Sequence, residues 1–137
     1  MRVLVDTNVV LDVLLARERH VRHAAAVFAL IERSEVDASL CATTITTVYY
    51  LLRQSLEQDH ARDALRRLLE LFEIAPVNRP VIEQALHNRI ADFEDAVLEQ
   101  AARLVGAEAI ITRNTKDFRK SAVKALDPLA FLSAKGT

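Results

Sequence analysis

The stretch that decides the fold is Arg2-Val3-Leu4-Val5-Asp6-Thr7-Asn8. Its apolar, mostly β-branched first half predicts a strand that is buried on both faces of a parallel sheet. The strand ends at a carboxylate, and the polar residues after it are typical of a helix start. Two interpretations of Asp6 are open at this point. It either caps the next helix or lies at the carboxyl end of the sheet, where open parallel sheets bind their ligands.

The composition bounds the possible functions. A chain of 137 residues can bury a core without disulfides, and no linker or repeat divides it, so residues 1–137 are predicted to form a single domain. The net charge of -1 gives no global attraction to nucleic acid or membranes. Cys41, the single cysteine, lies in an apolar run and indicates a reducing compartment. No secretory leader and no membrane-spanning run is evident, which predicts a cytoplasmic protein without a membrane partner.

The scarcity of glycine excludes two common classes of enzyme. The sequence contains two glycines, Gly106 and Gly136. Loops that cradle phosphates and fingerprints that bind dinucleotides need several closely spaced glycines. The sequence therefore predicts neither P-loop nucleotide hydrolysis nor Rossmann-type redox chemistry.

Short apolar runs alternate with segments of helical periodicity along the chain. Further strands are predicted at 37–42, 72–77, 109–111 and 123–126. Helices are predicted at 8–16, 21–34, from 43 onward, at 59–72, 80–89 and 92–105, and after Asp127-Pro128. The helix at 59–72 is predicted to bury a stripe that includes Leu65, Leu68 and Leu69. This alternation predicts an α/β/α sandwich around a central parallel sheet of about five strands.

A second acidic segment, Asp92-Phe93-Glu94-Asp95-Ala96-Val97, opens one of these helices. Asp92 and Asp95 are three residues apart, so they share a helix face. The pair fits an N-cap followed by a first-turn acid that the helix dipole favours. The apolar residues directly after Asp95 also fit a side chain that points along the sheet rather than into solvent. Both interpretations are open.

A third segment, Ile110-Ile111-Thr112-Arg113-Asn114-Thr115-Lys116-Asp117-Phe118, repeats the pattern of a buried strand followed by a polar turn. Asn114 and Asp117 have the spacing of a cap and a first-turn acid. Alternatively, Thr112 and Asn114 present a hydroxyl and an amide oxygen to a site.

These three segments converge in the predicted fold. Asp6, Asp95 and the Asn114–Asp117 turn would all lie at one edge of the sheet, where their carboxylates repel one another. A bound divalent cation would offset that repulsion. Oxygen ligands without clustered His or Cys select Mg²⁺ or Mn²⁺ over zinc. Such a cation activates water and neutralises charge that develops on a phosphodiester.

The whole chain resembles the PIN domain, the nuclease fold of VapC-type toxins of bacterial toxin–antitoxin pairs. The matching segments are Val5-Asp6-Thr7-Asn8, Thr44-Ile45-Thr46-Thr47-Val48, Asp92-Phe93-Glu94-Asp95-Ala96, Ile110-Ile111-Thr112-Arg113-Asn114 and Lys116-Asp117-Phe118. The resemblance implies a ribonuclease that forms a homodimer and that an antitoxin protein obstructs. It also implies that Asp6 and Asp95 bind Mg²⁺ or Mn²⁺, with Asn114 or Asp117 in the place of a further polar ligand.

The chain departs from the family pattern at one position. Family members usually carry a glutamate shortly after the Thr-rich helix start, and Tyr49 occupies that place here. A phenol with a pKa near 10 is a poor ligand for Mg²⁺, and Asp92 is the predicted replacement. The alternative function is a non-catalytic PIN-like module that binds RNA or protein. A receiver-like phosphoacceptor domain is a third possibility, but neither the adjacent acids nor the late lysine that it needs is clear.

The predicted site falls into three groups of residues. Catalytic roles are assigned to the four aspartates Asp6, Asp92, Asp95 and Asp117, and metal binding to these and Asn114. Substrate contacts are predicted for Asn8, Thr46, Tyr49, Thr112, Arg113 and Lys116. Basic residues are predicted either to flank the pocket and hold phosphates or to be scattered over the surface: Arg17, Arg19, Arg22, Arg113, Lys116, Arg119 and Lys120. His20 and His23 are predicted to be a solvated surface pair.

Overall fold

The computed structural model describes residues 1–136 and contains a five-stranded sheet with parallel pairing throughout. The strands are β1 (Arg2–Val5), β2 (Asp37–Cys41), β3 (Glu73–Ala75), β4 (Ala109–Ile111) and β5 (Lys124–Leu126). They lie in the order β3-β2-β1-β4-β5. In this register Val3 is the partner of Ala38 on one side and of Ala109 on the other. The opening stretch therefore forms the central strand.

Helices connect the strands and cover both faces of the sheet. They are α1 (Thr7–Leu14), α2 (Val21–Glu32), α3 (Ala42–Leu52), α4 (Gln58–Leu71), α5 (Arg79–Leu86), α6 (Phe93–Leu104) and α7 (Pro128–Ala134), with a 3-10 helix at Thr115–Phe118 between β4 and β5. Gly106 follows α6 with a φ of 70°, a conformation that glycine adopts without steric strain. None of the helices within residues 1–136 is long and apolar enough to cross a bilayer.

Successive side chains of β1 point to opposite faces of the sheet, and both faces are buried. Val3 and Val5 belong to one core layer, which α1, α2, α3, α4 and α7 cover. Leu4 belongs to the other core layer, which α5 and α6 cover. All three side chains are 0 % exposed. A strand with helices on both faces needs apolar residues at successive positions, because neither face meets water.

The predicted α/β/α sandwich and its parallel sheet are confirmed. All five strands lie where the apolar runs placed them, with ends that differ by one or two residues. The prediction for Leu69 is wrong, because its side chain is 55 % exposed. Leu68 is buried as predicted, together with Ala61 and Ala64, and Leu65 is half-buried. Small residues take the positions where α4 packs closely on its neighbours.

The strand order brings the ends of β1 and β4 together. The chain leaves β1 toward β2 and β3, and later crosses to β4 on the other side of β1. The backbone N–H of Asp6 donates to the carbonyl of Ile111 at 2.9 Å, so the residues after the two strands are neighbours. Such a reversal of strand order opens a crevice at the carboxyl end of the sheet, which is where α/β proteins bind their ligands.

Candidate functional site

Asp6 lies at this reversal and is 8 % exposed. Its Oδ1 accepts a hydrogen bond from the backbone N–H of Thr7 at 2.7 Å. Its Oδ2 accepts from the hydroxyl of Thr112 at 2.8 Å and from the amide of Asn8 at 3.3 Å. Asp6 is the N-cap residue of α1 and also lies at the carboxyl end of the sheet, so the two positions considered from the sequence are compatible.

Thr112 and Asn8 hold the Asp6 carboxylate in place. Thr112 is 0 % exposed, and its hydroxyl accepts from the Asn8 amide at 3.2 Å and from the backbone N–H of Asn114 at 3.1 Å. The amide oxygen of Asn8 accepts from the backbone N–H of Arg113 at 3.2 Å. These polar groups are thus engaged with the protein. Thr112 and Asn8 orient Asp6, and of the substrate-contact residues predicted from the sequence they are the two that hydrogen-bond to it.

Asp95 is half-buried in the first turn of α6. Asp92 is the N-cap of this helix, and its Oδ1 accepts from the backbone N–H of Asp95 at 3.0 Å. Burial, together with the negative charges of Asp92, Asp6 and Asp117, raises the pKa of Asp95 to about 7. The capping interpretation of Asp92 is confirmed, and Asp95 is in addition a strongly perturbed carboxyl group.

The acidic pocket, a cavity of about 410 Å³, is lined by the carboxylates of Asp92, Asp95 and Asp117. Four basic residues line it as well: Arg89, Lys116, Arg119 and Lys120. Its walls come from two segments: residues 89–95, which connect α5 to α6 and form the first turn of α6, and residues 116–120, which belong to the 3-10 helix after β4 and the turn that follows it. A cavity lined by both carboxylates and cationic side chains has the charge pattern of a site that holds a cation and a phosphate together.

The carboxylates of this site lack cationic partners. Burial raises the pKa of Asp6, hydrogen bonds from Thr112 and Thr7 oppose that shift, and the charges of Glu94 and Asp117 add to it. The ion pairs found within residues 1–136 include none of these acids. Their negative charges therefore repel one another, and a cation would relieve the repulsion.

The donor set fits a hard divalent cation that keeps part of its water shell. No three His, Cys, Asp or Glu side chains within residues 1–136 are arranged closely enough to enclose a metal ion between them. Mg²⁺ is usually held by one or two carboxylates together with waters and substrate phosphates, rather than by a complete protein cage. Asp6 and Asp95 meet this requirement in chemistry and in charge.

Asn114 and Asp117, the predicted further ligands, are both exposed in the turn and 3-10 helix after β4. Asp117 lines the acidic pocket, and its charge raises the pKa of both Asp6 and Asp95. The Asn114 side chain is exposed at the start of the 3-10 helix, where it makes no capping hydrogen bond. Asp117 is therefore the member of this turn that belongs electrostatically to the site.

Helix α3 contributes hydroxyl groups rather than a carboxylate near Asp6. The Thr44 hydroxyl, 1 % exposed, lies 2.9 Å from the hydroxyl of Thr7. Tyr49 and Thr46 line a different cavity, of about 390 Å³, together with Arg62, Leu65 and Arg66 of α4. Tyr49 packs against the core, while Tyr50 is 70 % exposed. The structure thus separates Thr46 and Tyr49 from the acidic pocket.

Arg113 also lies away from the acidic pocket. Its guanidinium makes two hydrogen bonds to Asp12, from Nε to Oδ2 at 2.6 Å and from Nη2 to Oδ1 at 3.2 Å. Asp12 and Arg113 line a cavity of about 300 Å³ together with the half-buried His20 and His23. Of the basic residues considered from the sequence, Lys116, Arg119 and Lys120 line the acidic pocket and Arg113 lines this other cavity.

Three residues that line these cavities or the one behind the acidic pocket are not among those predicted from the sequence. Asp12 interrupts an apolar helical run, and a lone acid in such a run signals a buried carboxylate with a partner elsewhere. Glu99 follows Asp95 by one helical turn on the same helix, a spacing that places both on one face. Arg89 lies just before the acidic segment in sequence. It carries no local pattern that marks it as part of the pocket.

The chain matches known proteins over nearly all of its length. The family model of the PIN domain matches residues 2–116. "Ribonuclease VapC1" of Aquifex aeolicus (strain VF5) is 24 % identical over 130 residues, which covers 91 % of this chain and 89 % of that protein.

Solved structures reproduce the fold. VapBC2 from Rickettsia felis, bound to a DNA fragment from its promoter, superposes with a TM-score of 0.73 at 15 % identity and covers 93 % of this chain and 98 % of that one. A toxin–antitoxin complex from Klebsiella pneumoniae superposes with a TM-score of 0.71 at 25 % identity and covers 92 % of this chain and 97 % of that one.

Proposed function

This chain belongs to the PIN domain family, and from that premise we propose that it is a metal-dependent ribonuclease, the toxin of a toxin–antitoxin pair. The relative named a ribonuclease and the similar toxin–antitoxin structures support the class of activity. The observation that carries the proposal is the unpaired carboxylate cluster at the end of β1 and the start of α6. Its raised pKa values are typical of groups that await a cation or a proton.

Asp6 and Asp95 would hold the cation, Mg²⁺ or Mn²⁺, and Asp92, Asn114 and Asp117 are the residues available to assist. When bound, the cation would lower the pKa of a water molecule and neutralise charge on the phosphodiester. Asp6 is suited to this role because Thr112 and Asn8 fix its carboxylate through neutral donors. Its negative charge therefore stays available to the ion.

The substrate would be RNA held by its phosphates. Lys116, Arg119, Lys120 and Arg89 line the pocket without an ion-pair partner within residues 1–136. Exposed lysines and arginines without partners bind phosphates and release counterions in doing so. These contacts would orient the scissile phosphate over the two aspartates and carry no base specificity of their own.

An antitoxin protein is the proposed partner, and a homodimer is the proposed assembly. The support is the naming of similar structures as VapBC and toxin–antitoxin complexes. Residues 1–137 would act as a single domain in the cytoplasm, where RNA is accessible.

A second candidate function is a PIN-like binding module without catalysis. The observation that favours it is Tyr49, which lies with Arg62 and Leu65 in another cavity and leaves α3 without an acid at the site. The two candidates differ in metal binding. A working site stabilises the folded protein by about 2.7 kcal/mol at a metal concentration one hundred times Kd, and a defunct site does not.

Replacing Asp6 or Asp95 by Asn tests the proposed activity. Each variant removes one anionic ligand, so Mn²⁺-dependent cleavage of a labelled RNA should fall by at least about 100-fold, or roughly 2.7 kcal/mol of activation free energy. Circular dichroism should show that both variants stay folded. The thermal shift produced by Mn²⁺ should disappear in both.

Asp63→Asn is the matched control, because it makes the same chemical change at an exposed carboxylate of α4. It should cleave like the wild type. Equal cleavage by the wild type and both site variants, in a preparation free of contaminating nuclease, would rule this mechanism out. No Mn²⁺-induced stabilisation of the wild type would favour the binding module.

A further inference from the structure

Glu99 is a buried carboxylate that the proposed mechanism does not use. It lies on α6, one turn after Asp95, and is 2 % exposed. Four neutral donors surround it, and no ion pair within residues 1–136 involves it. We propose that Glu99 is a positioning residue that ties together the two walls of the acidic pocket.

The first wall is fixed through Asn88. Glu99 Oε1 accepts from the Asn88 amide at 2.7 Å, and the amide oxygen of Asn88 accepts from the backbone N–H of Ile90 at 2.8 Å. The connection between α5 and α6 is thereby held against α6 just before it enters the pocket as Arg89 and Asp92. The Asn88 side chain has one orientation that satisfies both bonds.

The second wall is fixed through Ser121 and Ala122. Glu99 Oε2 accepts from the Ser121 hydroxyl at 2.6 Å and from the backbone N–H of Ala122 at 2.8 Å. The Ser121 hydroxyl also accepts from the backbone N–H of Val123 at 2.9 Å. This segment directly follows Lys116, Asp117, Arg119 and Lys120, the residues that the 3-10 wall presents to the pocket.

One carboxylate therefore bridges both walls, with one oxygen on each. A smaller cavity of about 220 Å³ contains Asn88, Glu99 and Ala122 and shares Arg89 and Lys120 with the acidic pocket. The bridge thus lies directly behind the pocket. The only side chain with two acceptor oxygens and no donor is a carboxylate, and both walls present donors. This explains an acid at a position where burial makes a charge costly.

The consequence for substrate binding rests on the proposed ribonuclease function. Lys116, Lys120 and Arg89 can grip one RNA backbone only if the separation between the two walls is constant. Asp6 and Asp95 are held by contacts that do not involve Glu99. Loss of the bridge should therefore weaken RNA binding more than it slows the chemical step.

Glu99→Gln disrupts the bridge while keeping a side chain of nearly the same size. The amide group must face the N–H of Ala122 in one orientation and the amide of Asn88 in the other, so one wall loses its partner either way. Asn88→Asp in the same protein reverses the polarity of that contact. The glutamine can then donate to Asp at 88 and accept from Ser121 and Ala122, and the net charge of the wild type is restored.

Hydrogen exchange of the Ile90 and Ala122 amides is the direct readout. In Glu99→Gln at least one of them should exchange about tenfold faster, and KM for RNA should rise about tenfold while kcat stays within about twofold. The double variant should recover most of both effects. Val27→Ala creates a cavity in the opposite core layer and is the control for general destabilisation. At temperatures well below its Tm, the two amides should exchange as slowly as in the wild type.

Three results would overturn the proposal: unchanged exchange at both amides in Glu99→Gln, no recovery in the double variant, or the same acceleration in Val27→Ala. A wild-type protein that neither binds nor cleaves RNA would end the ribonuclease proposal instead. The exchange rates of the single and double variants then decide the bridging role by themselves.

Discussion

Two aspartates, Asp12 and Asp95, differ in whether the fold supplies an ion-pair partner. Asp12, in α1, is 0 % exposed and is paired with the guanidinium of Arg113 at 2.6 Å and with Arg17 at 3.4 Å. Asp95, at the start of α6, is half-buried, has no cation within ion-pair distance among residues 1–136, and has its pKa raised to about 7. The more deeply buried acid is neutralised, whereas the more accessible acid is not.

The difference separates stabilising from functional carboxylates. A charge buried for stability needs a partner, because an unpaired buried charge costs several kcal/mol. The acidic pocket is also lined by cations, but Lys116, Arg119 and Lys120 form no ion pair with Asp95 or with another acid among residues 1–136. Because these acids and bases are not paired with one another, the acids would be available to a metal ion and the bases to a phosphate.

Removing the compensation at Asp12 should have the largest effect. Arg113→Ala leaves a fully buried carboxylate with Arg17 as its remaining partner, and should lower the free energy of unfolding by about 3 kcal/mol. Urea denaturation at pH 7 measures this change. Arg119→Ala, an exposed residue without an ion pair, should change stability by less than about 0.5 kcal/mol. Equal effects of the two substitutions would contradict the structural role of the Asp12–Arg113 pair.

Removing the uncompensated charge should instead stabilise the protein. Asp95 has an ordinary pKa of 3.8 when unfolded and about 7 when folded, so the folded state binds more protons between these values and loses stability as the pH rises through them. Asp95→Asn should therefore be no more stable than the wild type at pH 4. At pH 8 it should be more stable by on the order of 1 kcal/mol, a value reduced for solvent screening.

Denaturation midpoints of both proteins across this pH range give the comparison. Asp63→Asn, which removes an exposed and paired carboxylate, should have no such stabilising trend. A stability difference between Asp95→Asn and the wild type that does not grow from pH 4 to pH 8 would mean that Asp95 is compensated in solution.

The smallest effect is expected at the rim of the pocket. Lys120→Ala removes one phosphate contact, so affinity for an uncleavable 2′-O-methyl RNA should fall a few-fold and the slope of log K against log salt should fall by about 0.7. Binding isotherms at salt concentrations from about 50 to about 200 mM measure both the affinity and the slope. Lys124→Ala, at an exposed position of β5, should leave the slope unchanged. A common slope for all three proteins would remove Lys120 from the RNA path.

Periodicity was sufficient for the architecture. The run Val3-Leu4-Val5 predicted a strand covered on both faces, and it is the central strand with neighbours on both sides. The acid after it and the cap at Asp92 were predicted from local rules that need no knowledge of the rest of the chain. The prediction for Leu69 is wrong because Leu69 lies about 100° around the helix from its neighbour Leu68, which places it outside the buried face.

The site was predictable only in part. Asp92, Asp95, Asp117 and Lys116 line one pocket, and the charge of Asp6 is close enough to raise the pKa of Asp95. The edge of the sheet at which they lie follows from the strand ends. Arg113 does not join them, since its partner Asp12 lies 101 residues earlier in the chain. Tyr49 and Thr46 lie across α3 from the Thr44 hydroxyl that contacts Thr7. The helix face that lies next to a site is set by how the helix packs in the tertiary structure. The sequence of the helix alone does not determine it.

The sequence by itself determined the strands, the helices, their parallel arrangement and the edge at which polar residues collect, because burial patterns and capping are local properties of the chain. Only the tertiary structure decided which carboxylates are neutralised. Asp12 and Asp95 are both aspartates, and each lies in a helix. Their difference arises from the guanidinium that long-range packing brings to one of them and withholds from the other, since charge interactions depend on distance in space and on burial rather than on position in the chain.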